Sequence, residues 1–153
     1  MLTKLEQALL YKDNSKIKKL IRQGYDISNI NLNAVFHLNT DIIILLIEHN
    51  YKNINIENNE NWTPLFLAIQ KGNIKIIEEL LKYGANINYE VNLKPLIGVY
   101  TPLKYALLQK DWNIIELLIK KGADVKEYNY IGWNALKMAI LNDDKEVYKL
   151  LHS

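Results

Sequence analysis

Thr63-Pro64-Leu65-Phe66-Leu67-Ala68, followed by Gly72-Asn73, by Leu80-Leu81 and by Gly84-Ala85-Asn86-Ile87-Asn88, is the stretch whose reading decides the fold. Thr63 carries a side-chain oxygen that can accept from the free N–H groups opening a helix. Pro64 follows at the first helical position, where a missing N–H costs nothing and a fixed φ already suits the helix. Asn73 is a second capping residue, placed before an apolar stripe that includes Ile77 and Leu80. Gly84 takes the left-handed conformation that closes a helix. The stretch predicts helix, tight turn, helix, then a polar loop.

Working outward, the same pattern recurs around Ala8, Ala34, Ala68, Ala106 and Ala139. Five residues before these anchors stand Thr3, Asn29, Thr63, Thr101 and Asn134, all helix-capping types, and Pro102 repeats the role of Pro64. Glu6, three residues after Thr3, completes a capping box. Five residues after the anchors stand Asp13, Asn39, Asn73, Asp111 and Asp144, a second capping column. The buried face of the second helices reads Ile17, Ile43, Ile77, Ile115 and Tyr148, then Leu20, Leu46, Leu80, Leu118 and Leu151. Gly24, Asn50, Gly84 and Gly122 close four of these helices. Anchor spacings of 26, 34, 38 and 33 residues shorten the loop between copies one and two and lengthen that between copies three and four.

Helix, turn, helix, glycine and polar loop at roughly 33-residue spacing resemble the ankyrin repeat with its T-P-L-H-x-A motif. Thr101-Pro102-Leu103-Lys104-Tyr105-Ala106 with Gly122-Ala123-Asp124-Val125 is the second-best copy. The resemblance implies an all-α solenoid of about five helix-turn-helix repeats with short β-hairpin loops, forming a single domain over 1–153. Its copies run 1–28 as an N-terminal cap, 29–55 truncated, 56–88, 89–126 with a loop insertion, and 127–153 as a C-terminal cap. The motif's His is replaced by Phe66, Lys104 and Lys137, so the hydrogen bonds that His makes around the loops are absent. Lys16, Lys18, Lys19 and Arg22 at one end and Asp143, Asp144, Lys145, Glu146 and Lys149 at the other read as solvated cap faces, since an end repeat shows one face to water.

Composition agrees with one folded unit. The chain has 153 residues, 49% of them hydrophobic, and its 19 Lys and Arg nearly balance 17 Asp and Glu. That balance gives no reason to expect nucleic acid or a membrane surface as partner. The absence of Cys removes disulfides, thiolate metal sites and Cys nucleophiles, and suits a reducing, cytoplasmic location. The N-terminus lacks a signal-peptide pattern, and Ile42 to Ile47, the longest aliphatic run, falls far short of a membrane span. Abundant Ile, Lys, Asn and Tyr, with Arg22 the only Arg, match the amino-acid usage of an AT-rich genome.

No chemistry assembles from the residues. His37, His49 and His152 lie in different copies without metal-ligand spacing, and the few Ser lack a nucleophile-elbow context. Glycines are single, so no phosphate loop exists, and Glu78-Glu79 and Asp143-Asp144 belong to polar helix faces. The Lys16 to Arg22 cluster has no interleaved aromatics for stacking bases. No enzyme activity, cofactor or metal is expected.

The resemblance implies a protein-protein interaction module, monomeric when free, that binds one protein partner as adaptor or inhibitor through its concave finger and inner-helix face. Trp62, Tyr100 and Trp133 precede the first-helix caps, where the family places residues facing the groove. They form an aromatic ladder there, or else pack against the neighbouring finger. The same face includes Tyr11, Phe36, His37, Gln70, Lys71, Leu108, Gln109 and Asn142, with Asn59, Glu60, Tyr130 and Ile131 at fingertips. Trp112, aligned with Ile74, belongs to interior packing. The long loop from Tyr89 to Gly98 is apolar, and either presents its Leu, Ile and Val to a partner or folds over its own repeat. Analogy within the family adds a bacterial immunity protein that neutralises a toxin, a host-directed effector or a viral host-range factor. A small-molecule or enzymatic role in the groove is the rival from another class.

Overall fold

The computed structural model describes residues 3–49, 51–92, 99–125, 140, 141, 143, 145, 148 and 149. Among the described residues seven α-helices are delimited, α1 (Lys4–Leu10), α2 (Asn14–Arg22), α3 (Thr40–His49), α4 (Pro64–Gln70), α5 (Ile74–Lys82), α6 (Pro102–Gln109) and α7 (Trp112–Lys120). Short 3-10 turns occupy Leu32–Val35 and Tyr51–Asn53.

The capping residues explain where the helices start. Thr3 accepts from the Glu6 N–H at 3.1 Å while the Glu6 carboxylate accepts from the Thr3 N–H at 2.7 Å, a closed capping box. Thr63 and Thr101 accept from Phe66 and Lys104 at the heads of α4 and α6. Asp13, Asn39, Asn73 and Asp111 accept from N–H groups in the first turns of α2, α3, α5 and α7. Gly24, Gly84 and Gly122 follow α2, α5 and α7 with φ of 79, 90 and 90°.

First helices pack on their own second helices (α1 on α2, α4 on α5, α6 on α7) and the pairs stack, with α2 on α3, α3 on α5 and α4 on α6. The anchors Ala8, Ala68 and Ala106 are 2, 0 and 0% exposed, where a small side chain lets helices approach closely. Ile17, Ile43, Ile77 and Ile115, with Leu20, Leu46, Leu80 and Leu118, continue one core through the stack.

The second pair departs from the expected pattern. Its first element is the single 3-10 turn Leu32–Val35, opened by Asn31 accepting from Asn33 rather than by Asn29, and Ala34 is exposed. Between Gly24 and Asn39 the chain is too short to form both a finger and two turns of α-helix, so Leu32, Val35 and Phe36 fill the core in the anchor's place. Tyr148, aligned with the Ile column, is 43% exposed where the other described copies bury an aliphatic chain.

Loops are tied by asparagines across repeats. Asn53 donates to the Ser28 carbonyl (2.6 Å), Asn33 to Ile56 (2.6 Å) and Asn61 to Asn92 (3.0 Å). The Asn55 and Asn88 side chains accept from the Asn86 and Asp124 N–H groups at 2.8 and 2.9 Å. Hairpin character among the described residues is limited. One antiparallel bridge joins Val91 and Tyr100, and Asn58 donates to Trp62 at 2.9 Å across a tip where Asn61 has φ 64°.

Candidate interaction surface

Each first helix runs from a finger loop to a tight turn, so its last residues have the fewest neighbours. Leu10 and Tyr11 are 64 and 78% exposed after α1, and Leu108 is 52% exposed at the end of α6. Ile140 and Leu141 follow in the fifth copy at 58% each. Because the turn Leu32–Val35 packs on α4 and α4 on α6, equivalent positions of the second to fourth copies fall in one row. His37, Gln70, Lys71 and Gln109 are exposed in that row. Leu10, Ile140 and Leu141 were not among the expected contacts; Leu10 and Leu141 stand at the same offset from their anchors as Leu108.

Two expected contacts lie inside. Trp62 is 8% exposed and meets the edge of Tyr105 with ring centroids 5.4 Å apart at 87°. Phe66, at 0%, packs against the same Tyr105 at 5.8 Å. The three rings join the third pair to the fourth, so Trp62 packs into the neighbouring repeat instead of standing in a ladder. Phe36, 6% exposed, is drawn inward by the shortened second pair. Tyr100 is half-buried on the bridge with Val91. Trp133, Tyr130, Ile131 and Asn142 lie outside the described residues.

The Tyr105 hydroxyl receives a hydrogen bond from Gln109 Nε2 at 2.7 Å. Burial pushes this phenol up from its ordinary value, and hydrogen bonds with Gln109 and Gln70 offset part of that.

On the finger side, a cleft of about 370 Å³ opens between the second and third copies, lined by Asn31, Asn33, Ala34, Glu57, Asn58, Asn59 and Glu60. It exists where the second pair lacks its α-helical first element and leaves Ala34 uncovered. The Glu57 carboxylate holds Tyr89 above its usual phenol range, chiefly through charge. In the long loop, Val91 is 3% exposed and so serves the core, not a partner; its Leu93, Leu96 and Ile97 lie outside the described residues.

Among the described residues no group of three or more His, Asp or Glu could hold a metal ion, and no helix is long and apolar enough to cross a membrane. The ring of His49 is engaged with the Leu45 carbonyl at 2.8 Å.

Comparison with known proteins agrees with this arrangement. Residues 5–91 match the sequence pattern of ankyrin repeats in three copies. An ankyrin repeat protein of Fowlpox virus (strain NVSL) is 33% identical over 127 residues, covering 77% of this chain and 37% of that protein. The Notch-regulated ankyrin repeat-containing protein of Xenopus tropicalis is 31% identical over 80 residues, covering 52% of this chain and 69% of its own length. An ankyrin repeat protein of Acanthamoeba polyphaga mimivirus is 29% identical over 156 residues, 94% of this chain but 20% of that protein. The chain thus spans well under half of the two viral relatives.

Proposed function

Because this chain belongs to the ankyrin-repeat family, we propose that it grips one protein partner along the ends of its first helices and the adjoining finger loops, as an adaptor or an inhibitor. Ankyrin repeats are generally protein-binding modules, and no catalytic role is assigned to this one. The free chain is read as a cytoplasmic monomer.

One observation carries the reading. Half of the large hydrophobic side chains exposed among the described residues, namely Leu10, Tyr11, Leu108, Ile140 and Leu141, share the register at the ends of the first helices. Apolar side chains scattered singly over a surface need no explanation, but their recurrence at the first-helix ends of the first, fourth and fifth copies does, with polar Gln70 at that position in the third copy and Phe36 buried in the second. Leucine and tyrosine flanked by the polar Gln70, Lys71 and Gln109 give the apolar centre and polar rim of a protein interface.

The test is affinity capture from cells of the source organism followed by mass spectrometry, repeated with Tyr11→Ala and Leu108→Ala together. Both residues lie outside the core, so the circular-dichroism spectrum is expected to stay unchanged while capture weakens on the order of tenfold. Capture at wild-type strength would remove this row from the binding site.

A further inference from the structure

Four successive copies place an exposed basic side chain where the first element hands over to the second: Lys12 after α1, His37 ahead of α3, Lys71 after α4 and Lys110 after α6. Among the described residues the side chains of Lys12, Lys71 and Lys110 have no ion-pair or hydrogen-bond partner. On the second helices Lys18 lies 3.8 Å from Asp41, Lys82 3.0 Å from Glu79, and Lys120 pairs with Glu116, while Lys16, Lys19 and Lys75 are exposed like the lysines of the row.

Backbone geometry makes the row more telling. Lys12 and Lys110 stand at φ 53 and 57°, in the left-handed region where Gly72 stands in the third pair at φ 64°. Where glycine takes that position, the lysine sits one residue earlier, at Lys71, so the charge is kept at the turn in each case. A side chain retained in an unfavourable backbone region points to a use for that side chain.

We propose that this row binds an acidic segment of the protein partner, its carboxylates pairing with Lys12, Lys71 and Lys110 while its apolar side chains rest on Leu10, Tyr11 and Leu108. The inference rests on the protein-binding reading above and gives that partner a chemistry. Packed helices lie about 8–10 Å apart. A segment in the polyproline II conformation, rising about 3.1 Å per residue with three residues per turn, therefore meets successive copies with every third side chain on one face. A nucleic acid fits less well. Among the apolar residues of the row Tyr11 alone carries a ring on which a base can stack, whereas a single-strand binder presents one for each successive base. The row ends at the fifth copy, where Asp143 holds the equivalent position at φ 51°.

The test uses the full chain and a fluorescent synthetic peptide of about a dozen residues, with Glu at every third position and Leu between. Anisotropy is expected to show saturable binding that weakens as salt rises. Replacing Glu by Gln in the peptide, or making Lys12→Gln, Lys71→Gln and Lys110→Gln together in the protein, is expected to weaken it on the order of tenfold. Equal binding of the two peptides, wild-type binding by the triple variant, or tighter binding of a single-stranded DNA oligonucleotide of the same charge overturns the proposal. Native partner held by the triple variant at wild-type strength overturns the row alone. Capture untouched by Tyr11→Ala with Leu108→Ala overturns instead the surface on which the row rests.

Discussion

Lys110 adopts a left-handed backbone that its Cβ makes costly, by about 1–2 kcal/mol for an L-residue. Gly72 takes the equivalent conformation without that cost, and a Cβ added there meets only Asp111 Oδ2 at 3.8 Å, so the penalty at this turn is conformational and not steric. Lys110→Gly is accordingly expected to stabilise the fold by about 0.5–1 kcal/mol, after the greater freedom of glycine in the unfolded chain is subtracted. A higher midpoint in thermal unfolding checks it; a lower one means the turn is not left-handed in solution. The reverse sign holds for Trp62. With its ring buried on Tyr105, Trp62→Ala is expected to cost about 3 kcal/mol by opening a cavity. Denaturant titration reads that loss directly, and a variant as stable as wild type would return Trp62 to the surface. Ala68, fully buried between α4 and its neighbours, leaves no room for Leu, so Ala68→Leu is expected to lose about 1–3 kcal/mol in the same assay.

At the scale of the element, the caps do most to set the helices. Glu6 titrates below the ordinary carboxylate value because the Thr3 backbone N–H, and then its hydroxyl, hydrogen-bond the charged form. A carboxylate with a lowered folded pKa contributes stability that is present above its unfolded value and lost as pH falls through the folded one. Thr3→Ala keeps the backbone N–H and removes the hydroxyl, so it is expected to move the Glu6 midpoint part of the way back up, read by carboxyl-carbon NMR; an unmoved midpoint means the hydroxyl does not act on Glu6 in solution. These caps were also what the sequence displayed most plainly, since Thr, Asn and Asp accept N–H bonds through local geometry that needs no tertiary context. Thr63, Asn73, Thr101 and Asp111 accordingly stand where their spacing puts them. Asn29 does not, because loop length between Gly24 and Asn39 overrides a local preference and moves the cap to Asn31. The surface was less legible for the same reason: exposure is decided by neighbours. Phe36 and Trp62 have the register of contact residues, yet a shortened helix draws in the first and Tyr105 of the next copy covers the second. Leu10 could have been found by carrying the register of Leu108 back to the first copy.

Over the whole molecule, stability depends on how firmly each copy holds the next, because a stacked repeat buries its apolar faces only against its neighbours. Asparagine serves this coupling in a way that aspartate cannot, having a donor as well as an acceptor. Asn73 shows both uses at once: its Oδ1 accepts from Ile76 at the head of α5, and its Nδ2 donates to Thr40 Oγ1 of the preceding pair at 2.9 Å. The two roles separate by substitution. Asn73→Asp keeps the cap and suits the positive end of the helix dipole, but loses the donor. Asn73→Ala loses cap and donor together. The alanine variant is expected to cost about 2 kcal/mol, from a cap and a part-buried hydrogen bond each worth about 1 kcal/mol, and the aspartate variant about half of that. In a double-mutant cycle, Thr40→Val should add little to Asn73→Ala, since the bond between the pairs is already gone, whereas in Asn73→Asp the Thr40 hydroxyl can still donate to the carboxylate. Hydrogen exchange is the decisive readout: in Thr40→Val, which removes this bond and keeps the Asn73 cap, protection should fall where α3 meets α5 while the α6 and α7 amides keep theirs. A uniform loss along the chain would mean that this contact holds the whole stack, not one junction within it.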